Sequence, residues 1–268
     1  MSAPEPGAGT KHPSHPPAAR AELTAIVTAI REEFDAIAPH VAEGVRRRIG
    51  NGRRGFFLKG KIAGAPVILG LTGDGATRAT SSVSFLLRDF PVSVLVGAGA
   101  AGALVPSLGA GEVVVASRVV DEQGDAPPPD AGWVSRAVAL GAKPATSVTW
   151  ARPACNSRER SEVALRFGVD PGVAAVVDME SAAWARAAAK HGIPYAILRA
   201  VSDTFEEELP GLLAHCLSRD GSINRAAVAR RLVRRPSALP KLLRVRRRVR
   251  EGAGTLGLFL ERLLPEKI

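Results

Sequence analysis

The sequence is poor in cysteine, with only Cys155 and Cys216 among its 268 residues. These two lie far apart and lack paired spacing, which argues against a disulfide framework and a zinc-knuckle pattern. The five histidines also lack the short helical spacings of a metal site. We therefore predict no metal, no cofactor and a reducing cytoplasm as the location.

A hydrophobic targeting segment is also missing from the N-terminal residues. Residues 1–20 are rich in proline and alanine without an apolar core, so we predict a flexible leader there. Residues 91–111 carry no charge and are long enough to span a membrane. Their five glycines and Pro106, however, favour a strand that breaks into a tight loop.

Acidic residues are absent from a long stretch near the C-terminus. Residues 225–250 contain eleven cations and no acid, and the net charge of the whole chain is +10. We predict an arginine-rich helical tail over residues 221–268. Three alternatives remain for it: a solvated helical pair packed on the domain, a peripheral contact with an anionic membrane surface, or nucleic-acid binding. The last is least favoured, because this stretch has no aromatic residue for base stacking.

The rest of the chain alternates between apolar runs and helical spacings. We predict a strand at 23–30, a helical pattern over 31–48, a hairpin at 54–72 that turns at Gly64, and alternating helices and strands up to residue 203. Strands separated by helices imply crossover connections. The expected fold is an α/β domain over residues 21–220, with a central mixed sheet flanked by helices and followed by the basic helical tail.

Polar residues follow four of the predicted strands. They are Glu32 and Glu33, Gly73-Asp74-Gly75, Asp178-Met179-Glu180, and Ser202-Asp203. Ligands of such sheets bind at the carboxyl ends of the strands. Carboxylates combined with a methionine and glycine-lined backbone suit a neutral, polyhydroxylated ligand with an apolar part, such as a nucleoside.

Each of these features also has a purely structural alternative. Acids are favoured in the first turn of a helix, Gly73-Asp74-Gly75 is typical of a turn, and Ser202-Asp203 can cap a helix. Two acids at the end of an apolar strand are harder to explain in this way, since buried carboxylates need partners. Of the residues at that strand end, Asp178 and Ser181 are equally well explained as structural groups around the helix start.

Three segments carry a family resemblance: "VVDMESAAWA", "ILRAVSD" and "VGAGAAGALVPSLGAGEVVVAS". Together with a first strand that leads into "REE", they resemble the purine nucleoside phosphorylase and nucleosidase superfamily over residues 23–209. The resemblance is closest to methylthioadenosine/S-adenosylhomocysteine nucleosidases, and within them to the hopanoid-associated branch linked to adenosylhopane. The arginine-rich tail is similar to the ending of that branch.

The resemblance implies cleavage of the N-glycosidic bond of an adenosine derivative, with release of adenine. It makes Asp203 the general acid that protonates N7 of the purine, and Glu33 the group that orients or deprotonates the attacking water. Glu180 would hold the ribose hydroxyls, and Met179 would pack against the sugar and base. A homodimer is also implied. The other implied substrate-binding residues are Gly73, Gly75, Ala100, Ala101, Gly102 and Ser202.

The nucleophile separates the remaining alternatives. Phosphorylases of the superfamily place an arginine and a hydroxyl residue around the glycine-rich loop, whereas "GAGAAGAL" has neither. Arg78, Ser81 and Ser82 lie nearby in sequence, on a predicted helix whose orientation toward the loop the sequence does not fix. We predict water as the nucleophile; the first alternative is a phosphate-dependent purine nucleoside phosphorylase, and the second is a non-catalytic membrane- or nucleic-acid-associated protein on the same fold. Trp150 is the one candidate for a purine-clamping aromatic, and Asp74 replaces the usual small or apolar residue between the two glycines.

Overall fold

The computed structural model of the protein describes residues 23–48, 56–218 and 222–264, and the predicted leader at 1–20 lies outside them. The described chain forms one sheet of ten strands. The strands are β1 (Leu23–Thr28), β2 (Ala42–Arg48), β3 (Phe56–Ile62), β4 (Ala65–Leu71), β5 (Val92–Ala103), β6 (Val113–Asp121), β7 (Gly124–Asp125), β8 (Lys143–Thr149), β9 (Ala175–Asp178) and β10 (Tyr195–Asp203).

Seven α-helices flank this sheet in the described residues. They are α1 (Arg31–Ile37), α2 (Ala76–Asp89), α3 (Ala131–Ala139), α4 (Ser157–Arg166), α5 (Ser181–Lys190), α6 (Arg225–Arg234) and α7 (Leu239–Leu263). The alternation of helices and strands, with both parallel and antiparallel pairs, confirms the predicted mixed α/β fold.

Part of the sheet closes on itself. β1 is central and runs parallel to β4 and β5, and the antiparallel strands β3 and β2 extend the sheet beyond β4. On the other side, β5 pairs in parallel with β10 and antiparallel with β9. β6 and β8 complete the circuit between β10 and β9. The closure brings the end of β9 next to the ends of β5 and β10.

Helices cover both faces of the central strands because successive strand residues point to opposite sides. Ala25 and Val27 of β1 pack in a cluster with α2 and α5, which includes the fully buried Trp184. The intervening Ile26 packs in a second cluster with α1, α3 and α7. α4 packs with β8 and β9 in a third cluster. The strand ends therefore emerge from a closely packed interior.

The helical pattern predicted over residues 31–48 is wrong beyond residue 40. α1 ends at Ile37, and Pro39 lies in a short 3-10 helix because proline cannot donate the backbone hydrogen bond that an α-helix needs. The chain then turns into β2, which pairs with β3 and has an irregular register between Ala42 and Val45. Val45 is 54% exposed, as is normal for the edge strand of a sheet. The predicted hairpin is confirmed, with Gly64 at φ 83° between β3 and β4.

The basic stretch forms α6 and the first half of α7. The second half of α7 is different, since Ala253, Leu256 and Leu260 are fully buried against the sheet. The division of the chain near residue 220 stays a prediction. Over the described ranges, no helix is both long and apolar enough to cross a lipid bilayer.

Candidate active site

The predicted site residues lie where four parallel strands end. β4, β1, β5 and β10 are neighbours and run in the same direction, so their carboxyl ends share one edge of the sheet. Glu33 follows β1, the glycine turn at 73–75 follows β4, and Asp203 ends β10. Glu180 follows β9, whose Val177 pairs with Gly102 at the end of β5. The fold therefore places all four groups at one edge.

Glu33 is buried in the first turn of α1 and is held by three backbone amides. Its Oε2 accepts hydrogen bonds from the amides of Ala29 (3.0 Å) and Ile30 (3.2 Å). Its Oε1 accepts one from the amide of Ala100 on β5 at 2.8 Å. Burial raises the pKa of Glu33, although Arg199 and these amides oppose the rise. The carboxyl is thus fixed in place and favours its protonated form more than an exposed glutamate does.

Gly99 allows Glu33 and Arg199 to approach the backbone of β5. A Cβ at this position would lie 2.6 Å from both Oε1 of Glu33 and Nη1 of Arg199, closer than side chains tolerate. This Nη1 is buried and has no hydrogen-bond partner among the described residues. A buried donor without a partner costs free energy unless a water or a ligand satisfies it. The absence of a side chain at Gly99 therefore allows these two polar groups to pack against β5.

Glu180 is buried at the start of α5 and joins β9 to the glycine turn. Its Oε1 accepts a hydrogen bond from the amide of Gly75 at 2.8 Å. Gly75 has φ 86°, which only glycine adopts readily. Burial, together with repulsion from Asp178 and Glu33, raises the pKa of Glu180 to about 8 despite the opposing charge of Arg199. Glu180 and Glu33 are therefore close enough to influence each other.

Asp178 is a structural residue. Its Oδ1 accepts hydrogen bonds from the amides of Glu180 and Ser181, and its Oδ2 accepts one from the hydroxyl of Ser147 at 2.7 Å. Arg199 lies 3.3 Å from the same carboxylate. Burial alone would raise the pKa of Asp178, but Arg199 and the hydrogen bonds outweigh it and lower the pKa. These contacts support the structural explanation that the sequence offered for Asp178, as a hydrogen-bonding group around the start of α5.

Asp203 is buried at the end of β10, with two side-chain partners. Its Oδ1 accepts a hydrogen bond from the hydroxyl of Ser202 at 2.5 Å, and its Oδ2 lies 2.5 Å from Nη2 of the fully buried Arg160. Burial raises the pKa of Asp203 and Glu207 adds to the rise, while Arg160 and Ser202 oppose it. The result is a positioned carboxyl group that holds a proton to higher pH than an exposed aspartate.

β5 sets the separation between the two acids. Glu33 is bonded to Ala100, and Asp203 pairs with Gly102, where a Cβ would lie 2.7 Å from Oδ2 of Asp203. Two residues along a strand span about 7 Å. The two acids are therefore attached to neighbouring positions on the same strand.

A profile of the Phosphorylase superfamily matches residues 24–235, most of the chain. The chain belongs to the phosphorylase superfamily. It is therefore an enzyme of that superfamily, and the acids at its sheet edge lie within the matched region.

Curated relatives of this phosphorylase-superfamily chain include several 5'-methylthioadenosine/S-adenosylhomocysteine nucleosidases. The relative from Geobacillus kaustophilus is 29% identical over 204 residues, which cover 69% of this chain and 85% of the relative. The relative from Anoxybacillus flavithermus is 32% identical over 101 residues, 38% of this chain and 42% of the relative. The matched part of this second relative is therefore less than half of its length.

Solved structures show the same fold at lower identity. The Neisseria meningitidis 5'-methylthioadenosine/S-adenosylhomocysteine nucleosidase in complex with methylthio-immucillin-A has a TM-score of 0.69 and 19% identity, covering 90% of this chain and 98% of that one. The futalosine hydrolase of Helicobacter pylori also has a TM-score of 0.69, with 17% identity and coverage of 91% and 97%. The phosphorylase-superfamily fold is thus shared by enzymes with different named substrates.

The other predicted site residues of this superfamily member lie around the same edge. Met179 is half-buried between β9 and α5, and Ala100, Ala101 and Gly102 form the end of β5. Ser202 contacts Asp203 as described above. Trp150 follows β8 next to this edge: its amide donates to the carbonyl of Asp178 at 2.8 Å, and its ring packs edge-on against Phe167 at 5.7 Å.

Two buried arginines were missed by the sequence prediction. Arg199 contacts Ser181 and Asp178 and lies beside Glu33, and Arg160 pairs with Asp203. An arginine inside the apolar strand "YAILRAVSD" was a usable signal for Arg199, because a buried cation needs acidic partners. Arg160 gave no such signal, since the exposed face of α4 contains several charged residues.

Proposed function

We propose that the protein hydrolyses the N-glycosidic bond of an adenosine derivative and releases adenine. The observation that carries the proposal is the pair of buried acids, Glu33 and Asp203, bonded or paired to positions two residues apart on β5. Breaking an N-glycosidic bond develops positive charge on the sugar and negative charge on the purine. Acids on the two sides of the ribose serve these two needs.

Asp203 acts on the purine in this mechanism. Its raised pKa keeps a proton available for N7, so the base leaves as a neutral molecule. Ser202 and Arg160 hold the carboxyl in one orientation. Proton transfer needs such fixed geometry before the pKa matters.

Glu33 acts on the water that attacks the sugar. The proposal places this water within reach of the Glu33 carboxylate; Nη1 of Arg199, a buried donor without a partner among the described residues, lies next to Oε1 of Glu33 beside Gly99. Once water has attacked, its proton passes to the Glu33 carboxylate. Glu180 binds the ribose hydroxyls, and Met179 packs against the sugar and base.

Water is favoured over phosphate as the nucleophile. The hydroxyl of Ser81 donates to the carbonyl of Thr77, and that of Ser82 donates to the carbonyl of Thr72. Both hydroxyl hydrogens are therefore already engaged within the protein. The alternative is a phosphate-dependent purine nucleoside phosphorylase.

The 5' substituent is the open part of the substrate. The names of the relatives favour a 5'-thioadenosine, and the resemblance to the hopanoid-associated branch favours an adenosylhopane-like 5'-alkyl chain. The futalosine hydrolase neighbour adds a third substituent to be tested.

Adenine release tests the proposal directly. The protein is incubated with methylthioadenosine, adenosylhomocysteine and a 5'-alkyl adenosine, with and without phosphate. Adenine released without phosphate supports hydrolysis, whereas release only with phosphate supports the phosphorylase alternative. Asp203→Asn should reduce turnover about 10²- to 10⁴-fold, and Asp35→Asn on the exposed face of α1 should not. No release from any substrate would favour the non-catalytic alternative.

A peripheral membrane contact is a second proposal, which rests on the exposed surface of α6 and α7. Six of its cations have no acidic partner among the described residues: Arg230, Arg231, Arg234, Arg235, Arg244 and Arg250. Val233 (84% exposed) and Leu243 (53%) lie among them. Cations attract anionic headgroups, and exposed aliphatic side chains can enter the interface.

Flotation with vesicles tests this contact. Vesicles containing phosphatidylserine should bind the protein at low salt and less at high salt, and purely zwitterionic vesicles should bind it weakly. Binding to DNA but not to vesicles would favour the nucleic-acid alternative. The homodimer and the cytoplasmic location stay predictions, and light scattering in solution tests the first.

A further inference from the structure

The arm formed by residues 222–250 contacts three segments at this edge of the sheet: the glycine turn at 73–75, the start of α1 and the segment after β10. The amide of Ile223 donates to Oδ2 of Asp74, inside the glycine turn, at 2.6 Å. Arg246 lies 3.2 Å from the carboxylate of Glu32, next to Glu33. Arg248 pairs with Glu207, four residues after Asp203. The arm is thus held across the sheet edge.

A cavity of about 160 Å³ lies between this arm and the end of β10. Asp203 and Ser202 line one side, and Lys241, Arg244, Val245 and Arg248 of α7 line the other. Cavities of roughly 150 Å³ accept a flat ring the size of benzene. The cavity therefore connects the predicted general acid with the arm at a size suited to a flat ring.

The wall supplied by the arm contains one guanidinium that is not already engaged. Lys241 lies 3.5 Å from Glu208, and Arg248 pairs with Glu207. Arg244 has neither an ion pair nor a hydrogen bond within the described ranges. None of the described residues that line this cavity is aromatic. Base-binding proteins stack bases on aromatic rings or on arginine guanidinium planes, and here only the second is present.

We propose that Arg244 and Val245 form the purine-binding wall of the active site, with the guanidinium of Arg244 packed on the face of the base. The inference rests on the proposed function, because it places the base leaving group beside Asp203. It assigns the arm a direct part in substrate binding, and it supplies the contact for which the sequence offered only Trp150.

Arg244→Ala tests the inference, with Arg247→Ala as the matched control. Arg247 lies on the same helix but is 71% exposed, pairs with Glu251 at 3.4 Å and does not line the cavity. Both changes remove one positive charge from the arm. Only the change at Arg244 should raise KM for the adenosine substrate, by about tenfold, with kcat changed less.

Arg244→Lys separates stacking from charge. Lysine keeps the positive charge but has no planar guanidinium group to stack on the base. The KM of Arg244→Lys should therefore be close to the KM of Arg244→Ala. A KM equal to that of wild type would overturn the inference.

Calorimetric titration of each full-length protein with adenine gives a second readout that needs no turnover. Adenine affinity should fall about tenfold in Arg244→Ala and not in Arg247→Ala. If the wild type cleaves its substrate but the two alanine variants behave alike, the inference fails and the hydrolase proposal stands. If the wild type binds adenine through Arg244 but cleaves no adenosine derivative, the hydrolase proposal fails instead.

Discussion

Nη2 of Arg160 lies 2.5 Å from Oδ2 of Asp203, and both side chains are buried. The two residues are 43 positions apart, so helix α4 supplies the counter-charge for the acid that ends β10. Arg160 also donates hydrogen bonds to the carbonyl groups of Thr204 and Phe205. One side chain thus fixes both the carboxyl and the turn that follows it.

Replacing Arg160 should change the pH dependence of the reaction. In Arg160→Met the pKa of Asp203 should rise further, because a cation that lowers it is lost while burial remains. A general acid loses activity as the pH rises through its pKa, so the alkaline limb of the kcat/KM profile should move to higher pH. Arg158→Met, at an 89% exposed position on the same helix, should leave the profile unchanged. An unshifted limb in Arg160→Met would contradict the electrostatic link.

Gly99→Ala should disable the site while the fold is retained. The new Cβ would displace Glu33 or Arg199, since it would lie 2.6 Å from each. Misplacing a reacting group by about 1 Å can cost roughly a hundredfold in rate, and we expect a loss of that order in kcat. Gly254→Ala in α7 meets no atom within 4 Å and should leave activity intact. Normal turnover in Gly99→Ala would remove Glu33 from the mechanism.

Glu180→Gln should stabilise the protein at high pH. The pKa of Glu180 is about 8 when folded, against an ordinary value of 4.5, so the folded state holds the proton more tightly. Its contribution to stability is fully present below pH 4.5 and is lost as the pH rises to about 8. Glutamine imitates the protonated form. The difference in unfolding free energy between variant and wild type should therefore grow by roughly 1 kcal/mol per pH unit in this window.

Denaturant unfolding at several pH values measures this effect. Glu162→Gln, at a 60% exposed position, is the control for the substitution itself. A difference for Glu180→Gln that stays constant with pH would contradict the raised pKa of Glu180.

Asp74→Ala should loosen the C-terminal arm. It removes the acceptor of the Ile223 amide, and a hydrogen bond to a charged group contributes about 1.5–3 kcal/mol. Local opening should expose the arginines of the arm, so trypsin should cut there about tenfold faster, as followed by mass spectrometry. Asp74→Asn keeps an acceptor oxygen and should largely restore protection. Equal cleavage in all three proteins would mean that other contacts hold the arm.

The sequence by itself determined the local elements and the placement of the acids. The Gly64 hairpin and the strand ends before Glu33, Glu180 and Asp203 follow from apolar periodicity and from turn residues, which act over a few positions. The prediction of a helix beyond residue 40 was wrong because these residues form β2, whose pairing with β3 outweighs a weak helical spacing of apolar residues.

Only the tertiary structure decided which groups meet. Glu33 bonds to Ala100 across 67 positions, Glu180 to Gly75 across 105, and Asp74 to Ile223 across 149. Such pairings depend on strand order and on the closure of β5 through β9 and β10, which no local pattern encodes. The same closure buries Arg199 and Arg160 beside the acids and so shifts their pKa values, because desolvation and Coulomb forces depend on distance in space.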